Sequence, residues 1–385
     1  MSLLRIENIQ PSQKKVLLRC DFSAENGRLQ RFQLKSFIPT IEFLLQKNSS
    51  VIILSHCNDK QSYSSLVSVF ADELKKTVEF ASDLSIAREK ALSLQSGQIL
   101  LIENLSLLSG ELQNDPAFAS EIAKLGDLFI NDAFDACCEE MATIMHLPSK
   151  MESAIGLHLY QEITAANSVF SPENKPFTVI LGGTGLGPKL KLMQKFLTNR
   201  TNRVANILIG GALTYTFLKS RALPIGNSIY EGNLEVDAFQ TVEKCELMET
   251  ELILPLDHIA ADQISRTAKT KSVKTGDIPA QWRYLDIGSK TISQFEKAIK
   301  NSSLVFWYGP MGVTEIDQFQ SGTKNLGKIL SKAKARKILA GTETTRFMAE
   351  NGMISSMDHA SSSSRAFLSI IMGNDLLGIK ALSQE

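Results

Sequence analysis

The stretch with the most chemical potential lies mid-chain. Pro176-Phe-Thr-Val-Ile-Leu181 is apolar and β-branched, Gly182-Gly-Thr-Gly-Leu-Gly-Pro-Lys189 follows, and Leu190-Lys-Leu-Met-Gln-Lys-Phe-Leu197 has helical spacing. A strand that breaks into glycines and re-forms as a helix lets backbone N–H groups approach a phosphate at the helix N-terminus, where the macrodipole favours negative charge. Lys189 stands at the start of that helix, within reach of the same anion. Two fingerprints fail here. A Walker loop needs Lys-Ser/Thr directly after its last Gly, but Pro188 intervenes and Leu190 follows the lysine. A Rossmann fingerprint needs a third Gly where Pro188 or Leu190 stands. A plain tight turn explains the same glycines.

Further polar residues and glycines stand at the ends of other apolar runs: Asp21, His56, Asn104, Asp132, Gly210-Gly211, Asp257, Gly309 and Gly341. In open parallel sheets, ligands bind beyond the carboxyl ends of the strands. Each residue also has a bland explanation, since a strand-end Asp often caps the next helix and a strand-end Gly often only turns the chain. The pattern carries more than any member.

The elements that must position these groups alternate along the chain. Strand-like runs are Lys15–Phe22, Ser50–His56, Gln98–Asn104 and Asp127–Asp132 in the first half. Phe177–Leu181, Asn206–Ile209, Leu252–Leu256, Leu304–Trp307 and Lys337–Leu339 continue the series. Helical spacing separates them, as over Leu34–Leu45, through Val67, Phe70 and Leu74, and through Phe118, Ile122 and Leu125. Near-continuous apolar strands between helices signal parallel sheets covered on both faces. Gly156–Phe170 reads as a helix leading into a proline-bracketed linker, Ser171–Pro176. The predicted architecture is α/β, two doubly wound parallel-sheet domains joined by a helical hinge.

Length supports two domains, because single cores stop growing near ~250–300 residues, and the chain has 385. Lys plus Arg equals Asp plus Glu at 41 each, so overall charge favours neither nucleic acid nor a membrane surface. No apolar run approaches the ~20 residues of a membrane span, and the first residues lack signal-peptide order. A cytoplasmic protein is expected. Five cysteines do not form a disulfide framework. Cys137-Cys138, beside Glu139 and Glu140, read as thiols rather than activated thiolates. The run Ser361–Ser364 reads as a solvated loop.

Taken together, the motifs resemble the phosphoglycerate kinase family from about Lys15 to Leu382. The echoes include Leu18-Arg-Cys-Asp-Phe22, Ser55-His56, Glu103-Asn-Leu105, Asn131-Asp-Ala-Phe134, Leu181-Gly-Gly183, Tyr215-Thr-Phe-Leu-Lys219, Trp307-Tyr-Gly-Pro-Met-Gly-Val313 and Gly378-Ile-Lys-Ala-Leu382. The resemblance implies a monomer with hinge bending, phosphoglycerate in the first domain, Mg2+ with ADP or ATP in the second, and phosphoryl transfer between 1,3-bisphosphoglycerate and ADP. It divides the chain into an N-terminal domain 1–155 with 371–385 packing back on it, a hinge helix and linker 156–175, and a nucleotide-binding domain 176–370.

Carried over residue by residue, the resemblance gives Asp21, Ser23 and His56 as substrate-binding positions. Lys189, Gly211, Gly309, Glu315 and Glu343 are the nucleotide-binding positions, with Glu343 also at the metal. The family's substrate arginines are replaced. Gln33, Asp59 and Ser106 stand at three of them. The basic segment after Asn-Asp-Ala-Phe is Asp135-Ala-Cys-Cys-Glu-Glu-Met141, which puts Asp135, Glu139 and Glu140 where cations belong. Arg31, Lys35 and Lys60 each offer a substitute for one cation, not for the set. On the nucleotide side, the first family lysine is Gly185, the Asn before Gly-Pro is Tyr308, and the metal-linked Asp is Glu343. The glycine helix start at the transferring phosphoryl is Ser362-Ser-Ser-Arg-Ala-Phe367, where Arg365 offers a substitute cation.

A hydrogen bond to a charged group contributes about 1.5–3 kcal/mol, so four lost arginine anchors amount to roughly 6–12 kcal/mol. Micromolar affinity is only about 8 kcal/mol. The sequence therefore favours a member impaired in, or without, the family's transfer reaction, with Lys189 the best remaining catalytic residue. Weak Mg-nucleotide binding and a protein partner, as regulator or scaffold, go with that reading. The alternatives are an active phosphoglycerate kinase of glycolysis with rebuilt contacts, or a kinase for a different, less anionic acceptor.

Overall fold

A computed structural model of the chain describes residues 3–22, 24–25, 28–29, 31–57, 60–199 and 201–383. It divides into two compact units, Met1–Ala166 with Arg365–Glu385, and Asn167–Ser364.

The first unit runs β1 (Lys15–Arg19), β2 (Ala24–Glu25), β3 (Arg28–Leu29), α1 (Arg31–Gln46), β4 (Ser50–Leu54), α2 (Val67–Leu74), β5 (Val78–Ala81), α3 (Leu84–Ser93), β6 (Ile99–Ile102), α4 (Pro116–Ala123), β7 (Leu128–Asn131), α5 (Ala142–Met145), β8 (Ser153–Ile155) and α6 (Leu157–Ser168). Six strands form a parallel sheet in the order β5-β6-β4-β1-β7-β8. Leu17 on β1 sits opposite Ile52 on β4 and Phe129 on β7. Successive side chains of a strand point to opposite faces. Val16 and Leu18 therefore pack with Phe37, Ile41 and Phe70 of α1 and α2, whereas Leu17 packs with Ala91 of α3 and Ile122 of α4. Both faces are dry, which is why these strands read as unbroken apolar runs.

The boundary between the units falls within α6. The second unit follows with β9 (Phe177–Leu181), α7 (Leu186–Thr198), β10 (Val204–Ile209), α8 (Leu213–Ser220), α9 (Glu235–Leu247), β11 (Glu251–Ile253), β12 (Asp257–Ala261), β13 (Thr270–Lys274), β14 (Arg283–Ile287), α10 (Ser289–Lys300), β15 (Leu304–Tyr308), α11 (Ser321–Lys332), β16 (Arg336–Ala340), α12 (Thr342–Glu350) and β17 (His359–Ala360). Its parallel sheet has the order β11-β10-β9-β15-β16-β17. Trp307 joins Ile180 and Leu339 against Phe295 and Leu326 of α10 and α11, while its neighbour Phe306 turns to Phe196 of α7. The chain ends in α13 (Ser364–Met372) and α14 (Leu377–Leu382), and α14 packs on α5 in the first unit.

Three features depart from the sequence reading. The strand predicted over 252–256 ends at Ile253, since Pro255 cannot donate to a ladder. Beyond it, β12 pairs antiparallel with β13 and β14 in a separate three-stranded sheet. The Ser361–Ser364 run is no solvated loop: Ser361 and Ser363 are buried, the Ser361 hydroxyl accepts the Ser363 N–H at 3.2 Å, and Ser364 opens α13. No described helix is long and apolar enough to cross a membrane.

Candidate functional site

Several strand-end residues are structural. Asp132 accepts from Thr40 Oγ1 at 2.6 Å and from the Leu159 N–H at 2.8 Å, so it caps α6. Asp257 accepts from the Thr291 N–H at 2.9 Å and its hydroxyl at 2.7 Å, so it caps α10. Asn104 holds the turn after β4 through the Cys57 N–H at 2.9 Å. The polar atoms of these three residues are thus engaged in capping and turn contacts within the fold.

Asp21 and His56 come together in the first unit around a residue the sequence reading passed over, Arg19. Its guanidinium is fully buried. Nε donates to Thr143 Oγ1 at 3.0 Å, Nη1 to the Cys20 carbonyl at 2.6 Å and Nη2 to His56 Nδ1 at 2.7 Å. Glu111, also fully buried, supplies the counter-charge at 3.5 Å. Its two oxygens accept from the Thr143 N–H at 3.0 Å and the Thr143 hydroxyl at 2.7 Å. A charged residue at the end of the apolar run Lys15-Val-Leu-Leu-Arg19 was the available signal; nothing local marked Glu111.

Because His56 Nδ1 accepts from a guanidinium, its proton sits on Nε2. Burial and the Arg19 and Arg365 charges push its pKa down to about 3, so His56 is a neutral donor. Asp21 accepts from the Ala136 N–H at 3.0 Å, and burial, opposed by Arg19, raises its carboxyl to about 6. Ser23, the third predicted substrate position, lies outside the described residues.

Of the cations considered as replacements, Lys60 is exposed and makes no ion pair among the described residues, the Arg31 side chain lies outside the described residues, and the others are engaged. Arg19 is consumed. Lys35 faces Glu73 at 3.9 Å. Ser106, where an arginine was expected, turns inward and donates to the Cys57 carbonyl at 2.8 Å. Arg365 is bound to the acidic residues themselves: its Nη2 lies 2.8 Å from Asp135 Oδ2 and 2.6 Å from Glu139 Oε1. Burial raises the thiols of Cys137 and of Cys138, the latter to about 11, so both are protonated.

In the second unit the glycines meet one another. Gly182 N–H donates to the Tyr308 carbonyl at 2.9 Å, Gly183 N–H to the Pro310 carbonyl at 2.6 Å, and Gly211 N–H to the Met311 carbonyl at 3.0 Å. Gly309 has φ +94°, and a Cβ there would lie 2.3 Å from the Gly182 carbonyl oxygen. Gly211 has φ +60°, and its Cβ would lie 2.3 Å from the Gly183 nitrogen. The bare backbone is thus demanded by the packing of three loops at the ends of β9, β10 and β15.

Lys189 lies against this floor. It is 6% exposed, donates to the Thr184 carbonyl and stands 5.1 Å from the Tyr308 ring centre, a cation–π distance. Burial pushes its pKa down to about 8, against the opposing charges of Glu343 and Glu231. Glu343, in the first turn of α12, is exposed and makes no hydrogen bond or ion pair among the described residues. Glu315 is equally exposed and unpaired there. The hydroxyls of Thr344 and Thr345 beside Glu343 are buried and have no hydrogen-bond partner among the described residues. Gly185 has only open space where a side chain would go.

The N-terminus of α7 is already engaged. Glu231, held by Thr216 Oγ1 at 3.0 Å, accepts the Leu186 N–H at 2.6 Å, and Pro188 has no N–H to offer. The phosphate cradle suggested by the glycine turn therefore carries the chain's own carboxylate at its first amide. A glutamate some 45 residues away gives no signal in sequence.

Comparison with known proteins covers the whole chain. The family model described as Phosphoglycerate kinase matches residues 6–374. A phosphoglycerate kinase of Leptospira biflexa is 33% identical over 394 residues, covering 99% of this chain and 98% of that protein. One of Campylobacter lari is 32% identical over 397 residues, with 99% and 98% covered. Among solved structures, phosphoglycerate kinase from Coxiella burnetii superposes with a TM-score of 0.84 at 27% identity, over 100% of this chain and 99% of that one. The Pyrococcus horikoshii protein gives 0.87 at 23% identity, over 99% and 98%, which bears on fold alone.

Proposed function

The chain belongs to the phosphoglycerate kinase family, and from that premise we propose that it keeps the fold and a weak Mg-nucleotide site but no longer transfers phosphoryl groups between 1,3-bisphosphoglycerate and ADP. The observation that carries this reading is the charge of the acceptor region in the first unit. A phosphoglycerate brings a phosphate and a carboxyl-derived group, and burying such anions needs paired cations. Asp135 and Glu139 stand where the resemblance puts a basic segment, and Arg365 is held by both. Of the predicted substrate positions, Asp21 and His56 offer a carboxyl and one neutral N–H donor, which do not neutralise a phosphate.

The second unit fits a nucleotide's phosphates better. Lys189 supplies a cation beside the glycine floor, Gly211 and Gly309 keep the backbone bare, and Glu315 and Glu343 are free carboxylates for a ribose and a metal. Among the described residues no group of three or more His, Cys, Asp or Glu is arranged to hold an ion, so Mg2+ would arrive with the phosphates and meet Glu343. The metal would neutralise phosphate charge; Lys189 would orient the phosphates. Gly185, with room for a side chain but none present, removes the second cation that the reaction's developing charge calls for. A fold kept without its reaction fits a cytoplasmic monomer acting as regulator or scaffold for a protein partner.

Whole-length similarity to phosphoglycerate kinases supports the competing reading of an active enzyme. Thermal-shift titration of the full chain with Mg-ADP, Mg-ATP and 3-phosphoglycerate separates the two. The expected result is a small shift with nucleotide and none with 3-phosphoglycerate. A clear shift with 3-phosphoglycerate would refute the lost-acceptor reading.

A further inference from the structure

Asp135, Glu139 and Arg365 are three departures at once, and they meet. Arg365 donates from Nη2 to Asp135 Oδ2 at 2.8 Å and to the Asp135 carbonyl at 3.2 Å, and from Nε to Asp135 Oδ1 at 3.4 Å. The same Nη2 lies 2.6 Å from Glu139 Oε1. The two carboxylates flank the single turn Ala136–Cys138, whose first N–H is tied to Asp21, so their spacing is fixed by the backbone. The Arg365 charge helps keep His56 neutral, and because Arg19 occupies Nδ1 at 2.7 Å the His56 proton is on Nε2.

We propose that this cluster is a counter-ion lock that determines the specificity of the first unit's site. Asp135 and Glu139 hold Arg365 as a latent anion receptor and exclude anions themselves. Two carboxylates against one guanidinium leave a net negative charge, so a phosphate-bearing carboxylate meets repulsion where its receptor is already spent. Without the two carboxylates, the Arg365 guanidinium keeps only its bond to the residue 135 carbonyl and can make the paired contacts that suit a carboxylate or phosphate. The inference rests on the reading that the site has lost its arginine cradle, and it adds which residues keep the site closed to anions.

The test is calorimetric titration of the full chain with 3-phosphoglycerate in the wild type, in D135A/E139A and in D135A/E139A/R365Q. All three positions are partly exposed, and circular dichroism verifies folding. The double variant should bind 3-phosphoglycerate at least tenfold more tightly than the wild type, and the triple variant should lose that gain. D135A and E139A alone should each show part of the gain, which decides the matter if the double variant does not fold. No gain in the double variant or in either single variant overturns the lock, as does a gain that survives R365Q. Tight 3-phosphoglycerate binding by the wild type would instead overturn the lost-acceptor reading itself, so the two failures are distinguishable.

Discussion

Replacing Glu111 with Gln should destabilise the first unit selectively. Arg19 and Glu111 have no exposed side-chain surface, and every group around the carboxylate is a donor: the Thr143 N–H on one oxygen, the Thr143 hydroxyl and Arg19 Nη2 on the other. A carboxamide keeps the shape but must turn its NH2 toward one of those donors, and it leaves the guanidinium only the more distant Asp21, 3.8 Å away, as counter-charge. Removing one partner of a buried pair costs about 3–5 kcal/mol, a large share of the roughly 5–15 kcal/mol that holds a protein folded. At ~2–4 °C per kcal/mol for a unit of this size, the melting shift is roughly 6–20 °C. The two tryptophans, Trp282 and Trp307, both lie in the second unit, so their fluorescence reports that unit while far-UV ellipticity reports both. The expected outcome is an early ellipticity loss with an unmoved fluorescence transition. A shift below about 1 kcal/mol, inside the range of an ordinary neutral hydrogen bond, would refute the buried-charge argument.

His258 is buried, stacks 4.0 Å from the Tyr284 ring centre, and neither ring nitrogen has a hydrogen-bond partner among the described residues. Burial pushes its pKa down to about 3 from about 6.5 when unfolded. The unfolded chain therefore binds the proton more readily, and stability falls as pH drops through 6.5 toward 3. At pH 5 that is about 2 kcal/mol, so the advantage of His258→Phe, followed by tryptophan fluorescence in urea, should grow by that amount between pH 7 and 5. An equal advantage at both pH values would contradict it. Lys189→Met should weaken Mg-ADP binding at least tenfold and Glu231→Gln should tighten it severalfold by removing the carboxylate at the α7 amide, both read by calorimetry; unchanged affinities would remove these residues from the nucleotide site. Gly211→Ala combines overpacking of ~1–3 kcal/mol with left-handed strain of ~1–2 kcal/mol, whereas Gly185→Ala, with open space around it, should cost only the strain; denaturant midpoints compare them.

Strands buried on both faces were legible because their apolar runs are unbroken, as in Ser50–Leu54 and Leu304–Tyr308. Val78–Ala81 was missed because it is an edge strand with a half-exposed middle, and Thr270–Lys274 because it is polar and mostly exposed. Asp132 and Asp257 show why strand-end polar residues are ambiguous in sequence: a cap and a ligand-binding group have the same residue type in the same place. Lys189, Gly211 and Gly309 do converge, but the Glu231 carboxylate on the α7 amide and the Tyr308 ring beside Lys189 come from segments far from that helix in sequence. The Arg19–Glu111–Thr143 cluster and the Arg365 ion pairs depend on long-range contacts that no local pattern announces. The family resemblance pointed to Asp135 and Glu139 as departures; it could not reveal that Arg365 is tied to both.

The central claim is that the family's transfer reaction has been lost. Steady-state turnover of the purified full chain with Mg-ATP and 3-phosphoglycerate, coupled to NADH oxidation, addresses it directly. The account predicts no rate above the enzyme-free control at millimolar substrate. A kcat within the ~1–100 s⁻¹ typical of kinases would contradict it.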